Sequence, residues 1–443
     1  MNFTPKTFCP MPWSSVQIAP SGEYRICCFN GAKFELNEDG HPKLLDNPNL
    51  SETYNVLTHS VKDAMNDHIH KSIRLSQSKN EQHISCWTCW HLENAQTKMN
   101  QDNLESLRYA RTKQFENEDV IKFDNASENM NDDGSITSII RHLDFRFDNL
   151  CNMKCVMCDP MNSSLWYDDH IELTGQNFFY DGMKKFNLKK INGITKSDYP
   201  DWKNSPIFWK RMEEMKGTLN SIYLNGGEPF VSPFLPKFLN YFIEAGVAKN
   251  IRIDTDTNLS ILNDKYLDIL KQFKYVRFSV SCDDTEERYN LIRFPGNYKI
   301  FKKNFELLKS TRLDSNINFN KMTSCIGIHN IFAPIRLYQE FHEDVERFSL
   351  RLLRRPIEYD IMFLNKNMKL EILEKYEKSN IPLKHKTVVM GYLQNNLDTE
   401  DINNVRKYVE RMDKLDKIRN TNWRTVFSDS TTLLRKFYPD LNI

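Results

Sequence analysis

Three cysteines, Cys151, Cys155 and Cys158, lie within one stretch of eight residues, CNMKCVMC. Thiolates this close together can bind one metal centre, and thiolate sulfur favours zinc or an iron–sulfur cluster. A structural zinc ion takes four protein ligands, whereas a metal centre with an open position is typical of a catalytic site. A cubane iron–sulfur cluster with three protein ligands would leave one iron free to bind a further ligand.

The composition is that of an ordinary globular protein. The chain has 443 residues, enough for two or three domains, and its net charge is +1, which gives no reason to expect a nucleic-acid or anionic-membrane partner. The start, MNFTPKTFCPMPW, lacks the apolar segment of a signal peptide, and no apolar run approaches the roughly 18 to 20 residues of a membrane helix. We expect a cytoplasmic protein without a disulfide framework, because that compartment is reducing.

Short segments of alternating polarity after residue 140 predict β-strands. In 141–148, Leu143 and Phe145 alternate with Asp144 and Arg146. A period of two residues in so short a run indicates a strand. The other candidate strands are 221–225, 250–257, 275–283, 317–320 and 348–353.

Most connections between these strands predict helices, with apolar residues at helical spacing in 262–273 and 299–310. Alternating strands and helices predict an α/β fold with a parallel sheet, and six strands would make a partial barrel. A filled barrel core needs Val, Ile and Leu inside. The charged and hydroxyl side chains on one face of these strands instead indicate a lumen that holds a polar ligand. A sheet with one solvated face is the alternative.

The three cysteines directly follow the first predicted strand, where parallel α/β folds carry their active-site loops. A C-x3-C-x2-C motif in this place resembles the radical S-adenosylmethionine (SAM) superfamily, whose fold is a six-stranded partial TIM-like barrel. The resemblance implies that Cys151, Cys155 and Cys158 bind a [4Fe–4S] cluster, whose open iron chelates the amino and carboxylate groups of SAM. In that superfamily the reduced cluster cleaves SAM to methionine and a 5′-deoxyadenosyl radical, which abstracts a substrate hydrogen.

A second motif with the same resemblance follows the second strand. Asn225, Gly226, Gly227, Glu228 and Pro229 are similar to the superfamily's GGEP motif. There the two glycines let the backbone approach the amino group of SAM, because they have no Cβ. A Gly-Gly pair alone would indicate only a turn. After a cysteine triad at this distance, it indicates part of a SAM site.

The fourth strand and its connection carry further similarities. Ser281 and Asp283 resemble an S-x-D segment that lies near the ribose or methionine end of SAM. Asp284 departs from the pattern, since glycine is usual there. Arg293 resembles the arginine that pairs with the SAM carboxylate, for which a bidentate guanidinium is suited. A surface arginine is the alternative interpretation.

Two weaker similarities remain. Thr257 and Asn258 resemble a T-N-G segment at the end of the third strand, although Leu259 stands where glycine is usual. Met157 occupies a position where the superfamily often has an aromatic residue beside the adenine, and methionine can pack there as well.

A second group of cysteines lies in the first hundred residues. Cys9, Cys27, Cys86 and Cys89 are four thiols that could enclose one structural zinc ion. The order Cys-x3-Trp, Gly-x4-Cys and a distant C-x2-C also resembles the twitch or SPASM modules of radical SAM enzymes. That resemblance implies an auxiliary [4Fe–4S] cluster on these residues, with Cys28 as the alternative to Cys27. Here the module precedes the barrel, whereas twitch modules usually follow it.

These features predict four parts of the chain. They are a twitch-like domain at 1–115, an acidic linker at 116–140, the radical SAM barrel at 141–360 and a helical extension at 361–443. The linker prediction rests on 116–135, which is rich in Asp and Asn and poor in large apolar residues. For the helix predicted at 404–418 we expect a solvated, charged face without a chemical role.

Three functions remain open. The first is net oxidation or crosslinking of a peptide or small polar substrate, with electrons from a flavodoxin- or ferredoxin-type donor. The second is a redox-neutral epimerisation, which needs a hydrogen donor such as Cys282 or Cys325. Strand parity predicts that both thiols point away from the face that carries Ser281 and Asn320. The third is a non-catalytic iron–sulfur or zinc protein.

Overall fold

The computed structural model describes residues 7–27, 34–36, 42–44, 54–90, 93, 106, 108, 111–112, 130–137, 139–182, 184–313, 315–441 and 443. Within these ranges the strands are β1 (Ser15–Ile18), β2 (Tyr24–Arg25), β3 (Phe34–Leu36), β4 (Pro42–Leu44), β5 (His142–Arg146), β6 (Phe178–Asp181), β7 (Lys184–Ile191), β8 (Ile194–Ser197), β9 (Ser221–Asn225), β10 (Arg252–Thr257), β11 (Tyr275–Ser281), β12 (Ile317–Ile326) and β13 (Arg347–Leu352).

The α-helices of the same ranges are α1 (Met11–Ser14), α2 (Val61–Met65), α3 (His68–Ser78), α4 (Trp166–Thr174), α5 (Pro206–Met215), α6 (Phe234–Glu244), α7 (Asp264–Leu270), α8 (Glu286–Ile292), α9 (Tyr298–Arg312), α10 (Ala333–Phe341), α11 (Lys366–Lys378), α12 (Leu383–Asn395), α13 (Ile402–Arg419), α14 (Trp423–Val426) and α15 (Ser428–Phe437).

An eight-stranded sheet organises the described part of the chain, in the order β13-β12-β11-β10-β9-β5-β1-β2. Neighbouring strands in it are parallel, except that β2 runs antiparallel to β1. The strands β5 and β9 to β13, with the helices that connect them, form the predicted six-stranded partial TIM-like barrel. The α/β prediction is confirmed, and each of the six predicted strands is present.

The two faces of β5 show why the strand pattern was informative. Phe145 points to the helices, and its ring stacks on Phe208 of α5 at 5.7 Å and on Phe238 of α6 at 4.5 Å between centroids. Asp144, on the other face, accepts hydrogen bonds of 2.8 Å from Gln17 and from Asn225. Asp144 is buried. The polar face therefore encloses a lumen, and the alternative of a solvated sheet face is wrong.

Strand β12 has one residue more than its neighbour β11, at position 320. Phe319 pairs with Phe278, and the next pair is Lys321 with Ser279. Such a bulge turns the residues after it to the opposite face from the one that simple alternation predicts. The short segment 317–320 that predicted this strand ends where the bulge begins.

The bulge corrects the prediction for Cys325. The hydroxyls of Thr323 and Ser279 lie 3.1 Å apart on the lumen side, and Cys325 follows Thr323 by two residues. Cys325 therefore lies on the lumen face, and the prediction that it points away was wrong. Cys282 is fully buried on the other side of the sheet, with its thiol 3.2 Å from the carbonyl oxygen of Asp284.

The N-terminal segment continues the barrel sheet instead of standing apart from it. β1 pairs in parallel with β5, so that Gln17 lies opposite Asp144. Part of the predicted linker is packed as well: the buried guanidinium of Arg74 in α3 donates 2.8 Å to the carbonyl of Gly134. Residues 116–129 lie outside the described residues. Strands β3 and β4 pair with each other in a separate antiparallel sheet.

Two features differ from the sequence-based expectation. A three-stranded antiparallel insertion, β6 to β8, lies between α4 and α5 and was not predicted. Helix α13 matches the predicted C-terminal helix, but one of its faces is buried through Tyr408, Met412 and Arg419. The extension is therefore packed against the rest of the chain. Helix α13 has a buried face as well as the charged face that was predicted. Every helix in the described ranges is too short or too polar to cross a membrane.

The buried His329 makes a prediction about acid stability. Its ring packs against Tyr359 at 5.4 Å and Phe427 at 5.3 Å, and neither ring nitrogen has a hydrogen-bond partner in the described part of the chain. Burial lowers the pKa of His329 to about 3. Only the unfolded chain takes up this proton between pH 6.5 and 3, so the free energy of unfolding falls as the pH falls through this window.

In wild type, His329 should lower the free energy of unfolding by about 1.4 kcal/mol for each pH unit below pH 6.5, and we expect His329→Phe to remove this dependence. Urea unfolding of the apoprotein at pH 7.5 and pH 5.0 measures this. The free energy of unfolding of His329→Phe minus that of wild type should be larger at pH 5.0 than at pH 7.5 by about 2 kcal/mol. His342→Phe, at an exposed site, is the control. Equal differences at both pH values would contradict the assignment.

Candidate functional site

The loop after β5 brings three thiols together. Cys151, Cys155 and Cys158 are free and half-buried, and they are close enough for their charges to affect one another. Burial raises the pKa of Cys151 to about 12 and also raises those of Cys155 and Cys158. Three thiolates in such a place need a cationic centre to offset burial and mutual repulsion, which is what an iron–sulfur cluster supplies. The donor set therefore fits the cluster.

Hydrogen bonds to the backbone of this loop fix its position. The amides of Lys154 and Val156 donate to the carbonyls of Phe294 and Ile292, at 2.6 and 2.8 Å. The indole of Trp166 donates to the carbonyl of Cys155 at 2.9 Å. The loop is thus tied both to the end of α8 and to the start of α4. In the described residues no three His, Cys, Asp or Glu side chains are placed to hold a single metal ion.

The glycines of the GGEP-like motif face this loop at close range. A Cβ on Gly227 would lie 2.2 Å from the carbonyl oxygen of Leu150, and one on Gly226 would lie 2.8 Å from that of Asp148. Gly226 also has a φ of +137°. Both positions therefore require glycine so that the end of β9 can touch the cluster loop. Asn225, before them, points into the lumen and donates to Asp144.

Glu228 connects the second and third strands of the barrel. Its carboxylate accepts hydrogen bonds from the Thr257 hydroxyl at 2.8 Å and from the Asn258 amide at 2.6 Å. Burial raises the pKa of Glu228 to about 7. Asn258 in turn donates to Asn152 of the cluster loop at 3.1 Å. Glu228, Thr257 and Asn258 therefore form one buried network behind the loop, and Pro229 is buried next to them.

Leu259 follows this network in an unusual conformation. Its φ is +55°, in the left-handed region that favours glycine, and its side chain is fully buried. The resemblance had placed a glycine here. Leucine therefore occupies a backbone conformation that favours glycine. Met157 is half-buried and packs against the main core.

The end of β11 carries a buried ion pair. Arg293 and Asp283 are joined at 2.7 Å, and Asp283 also accepts a 2.7 Å hydrogen bond from the amide of Cys325. The positive charge of Arg293 opposes the effect of burial on the pKa of Cys155. Arg293 is therefore not a surface arginine but a buried cation beside the cluster loop. Ser281 is the last residue of β11 and lies half-buried opposite Thr323.

Asp284, the residue that departs from the family pattern, has a structural partner. It binds Arg336 of α10 through both carboxylate oxygens, at 2.7 and 2.6 Å. Arg336 also donates to Asp429 of α15 at 2.6 Å. The aspartate thus links the barrel to the C-terminal extension, a role that a glycine could not fill.

The cysteines of the N-terminal segment also lie together. Cys9, Cys27 and Cys86 pack around Met11 and Ile73. Burial raises the pKa of Cys9 to about 12, and the charge of Cys89 acts on both Cys9 and Cys86. The four predicted ligands are thus neighbours in the fold. Cys28 lies outside the described residues.

An ion pair stands beside these thiols. Arg108 binds Glu93 at 2.5 Å and stacks over the Trp90 ring at 4.7 Å. It also donates to the carbonyl of Phe8, the residue before Cys9, at 2.8 Å.

The structure also shows functional candidates that the sequence did not indicate. Trp166 and Lys154 hold the cluster loop, and Arg419 reaches it from α13, 250 residues after its partner Asp169. The first two pairs are 11 and 15 residues apart but belong to no local motif. The pair of Asp169 and Arg419 spans 250 residues, and its position follows only from the packing of the extension on the barrel.

Comparison with known proteins agrees with this geometry. The family model of the radical SAM superfamily matches residues 147–328. No curated protein sequence matches the chain.

Several solved structures match part of the chain. One is anSMEcpe with bound AdoMet, at 17% identity and a TM-score of 0.36, which covers 54% of this chain and 57% of that one. Another is Streptococcus suis SuiB bound to its precursor peptide SuiA, at 12% identity and a TM-score of 0.31, which covers 62% and 52%. A third is TYW1 with a lysine-pyruvate adduct, at 13% and 0.27, which covers 55% and 72%. The chain thus spans little more than half the length of anSMEcpe.

Gly227→Ala should damage the cluster loop. The added Cβ would overlap the Leu150 carbonyl, so we expect the apoprotein to lose about 1 to 3 kcal/mol of stability, or the loop to move and bind less iron. Anaerobic reconstitution followed by iron analysis and a thermal melt tests this. Gly217→Ala is the matched control, because nothing lies within 4 Å of its Cβ position. A Gly227→Ala protein with wild-type iron content and melting temperature would contradict the assignment.

Proposed function

We propose that this protein, whose residues 147–328 match the radical SAM family model, is a radical SAM enzyme that oxidises or crosslinks a peptide or a small polar substrate. Cys151, Cys155 and Cys158 would hold its [4Fe–4S] cluster. When bound and reduced, this cluster supplies the electron that cleaves SAM into methionine and a 5′-deoxyadenosyl radical. The observation that carries the proposal is the set of three neighbouring thiols, with no fourth cysteine of the loop, under the end of β9.

The chain's own residues would bind and orient SAM. The buried guanidinium of Arg293 would pair with the SAM carboxylate, since Asp283 already fixes it at 2.7 Å. The network of Glu228, Thr257 and Asn258 would hold the adjacent backbone still. Ser281 would lie near the ribose or methionine end. Because these groups are buried, they would also exclude water from the reacting atoms.

The lumen supports a polar substrate. Lys321 lies on the lumen side after the bulge, and burial lowers its pKa. The guanidinium groups of Arg351 and Arg277 lower the pKa of Lys321 further, whereas the carboxylate of Asp256 opposes this shift. Tyr223 donates to Asp256 across the sheet. Such a charged interior suits a substrate with carboxylate or amide groups, as peptides have, better than an apolar one.

The N-terminal thiols would hold a second cluster. Cys9, Cys27, Cys86 and Cys89 give four protein ligands and hence a closed auxiliary [4Fe–4S] cluster in a twitch-like module, with Cys28 in reserve for Cys27. Such a cluster could accept the electron that remains after hydrogen abstraction, which favours net oxidation. We assign the electron supply to a flavodoxin- or ferredoxin-type donor and the protein to the cytoplasm.

Epimerisation is the second candidate, because Cys325 lies on the lumen face. Its thiol could give a hydrogen atom to a substrate carbon radical, which would restore a C–H bond and leave a thiyl radical for reduction. The amide of Cys325 binds Asp283, the partner of Arg293, so this thiol is next to the proposed SAM site.

The main proposal predicts SAM cleavage that depends on the loop thiols. Anaerobically reconstituted wild type should carry about eight iron and eight sulfide per chain and form 5′-deoxyadenosine from SAM and dithionite. The Cys151/Cys155/Cys158→Ala variant should lose about half of the iron and all of the deoxyadenosine. The Cys9/Cys27/Cys86/Cys89→Ala variant should lose the other half. Zinc in place of iron, or a full set of clusters that ignores SAM, would refute the proposal.

The two reaction types differ in the fate of solvent hydrogen. If the enzyme is an epimerase, its product formed in D2O from a candidate peptide should contain one carbon-bound deuterium, and Cys325→Ser should abolish this label. Mass spectrometry of the product, after back-exchange of its amide hydrogens in H2O, and NMR of its carbon-bound hydrogens measure this deuterium. A product lighter by two hydrogens without deuterium, unchanged in Cys325→Ser, would support oxidation or crosslinking and exclude the epimerase.

A further inference from the structure

The last residue of α13, Arg419, lies behind the cluster loop. It is only 8% exposed, and its guanidinium stands over the Trp166 ring at 4.8 Å and the Phe294 ring at 5.4 Å. Both aromatic residues hold the loop: Trp166 donates to the carbonyl of Cys155, and the carbonyl of Phe294 accepts from the amide of Lys154. The two rings thus place the guanidinium next to the central cysteine of the triad.

The charges around Arg419 leave a positive excess. Its Nε donates to Asp169 at 2.8 Å, and the other oxygen of Asp169 accepts from Lys154 at 2.6 Å. One carboxylate therefore serves two cations. The charge of Arg419 also reaches Cys155, where it opposes the rise in pKa that burial causes.

Two donor groups of Arg419 are buried without an acceptor among the described residues. They are Nη1 and Nη2 of its guanidinium. Leaving a buried donor of a charged group without an acceptor is unfavourable. The arrangement becomes favourable if an anion lies beside the loop. A cluster with three thiolate ligands is such an anion, and reduction makes it more negative.

We propose that Arg419 is a positioning residue of the cluster: its free Nη groups face the cluster and its thiolates, and its positive charge raises the reduction potential of the cluster. The proposal rests on the proposed function only in that a cluster must occupy Cys151, Cys155 and Cys158. It gives the C-terminal extension a role in the chemistry. A cation at short range in a buried site stabilises the more negative, reduced form.

The test compares Arg419→Met, Arg419→Lys and Arg411→Met with wild type. Arg411 is the matched control, since it lies on the same helix, 5.6 Å from the same Trp166 ring, and pairs with Glu358. Potentiometric titration followed by EPR gives the midpoint of the signal that Cys151/Cys155/Cys158→Ala abolishes. Iron content and the melting temperature of each apoprotein are measured beside it.

We expect the midpoint potential of the cluster in Arg419→Met to be lower than in wild type. At the wild-type midpoint, the ratio of reduced to oxidised cluster should fall at least tenfold, which corresponds to a shift of about 59 mV for one electron. Arg419→Lys, which keeps the charge, and Arg411→Met should stay close to wild type. A fully loaded Arg419→Met at the wild-type midpoint would overturn the proposal, as would an equal shift in Arg411→Met.

Two further outcomes are also decisive. If Arg419→Met melts like wild type but binds no cluster, positioning is supported. If Arg419→Met does not fold, Arg419→Gln, which is also uncharged but polar, takes its place. A reduced-to-oxidised ratio at least tenfold below wild type would support the proposal, and a wild-type midpoint in a fully loaded Arg419→Gln would overturn it. A wild-type signal that survives Cys151/Cys155/Cys158→Ala would instead refute the proposed function itself.

Discussion

Three thiols in one buried loop set the main constraint on this molecule. Each thiolate is disfavoured by burial and by its neighbours, so the loop must be held firmly enough to keep Cys151, Cys155 and Cys158 together until a cationic centre offsets these costs. The surrounding structure supplies that rigidity. Backbone hydrogen bonds from the end of α8, the indole of Trp166 and the close approach of Gly227 all act on the same short segment.

The parallel sheet brings these groups to one place. The ends of neighbouring parallel strands lie at one edge, so the motifs after β5, β9, β10 and β11 converge although more than a hundred residues separate the first from the last. The same sheet accepts β1 at its side, which places the N-terminal thiols on a shared framework with the barrel. The polar lumen follows from the alternation of the strands, with Asp144 satisfied by Gln17 and Asn225.

The sequence predicted what depends on local pattern. Strand β9 was predicted to the residue, because alternation over a few residues is a local property, and Glu228 was singled out by its motif. Longer-range features were missed. The extra residue at 320 does not alter the composition of its strand, so parity failed for Cys325. Arg419 is one of several charged residues in a helical pattern, and only the packing of α13 separates it from the solvated ones.

The bond between Asp169 and Arg419 spans 250 residues, and this has a consequence for how the protein is made. During synthesis the cysteine loop leaves the ribosome long before the extension that covers it. At about 5–20 residues per second, the interval is on the order of 12 to 50 s. The cysteine loop of the nascent barrel therefore stays uncovered by α13 during this time. Its burial is completed only when the final helices fold onto it.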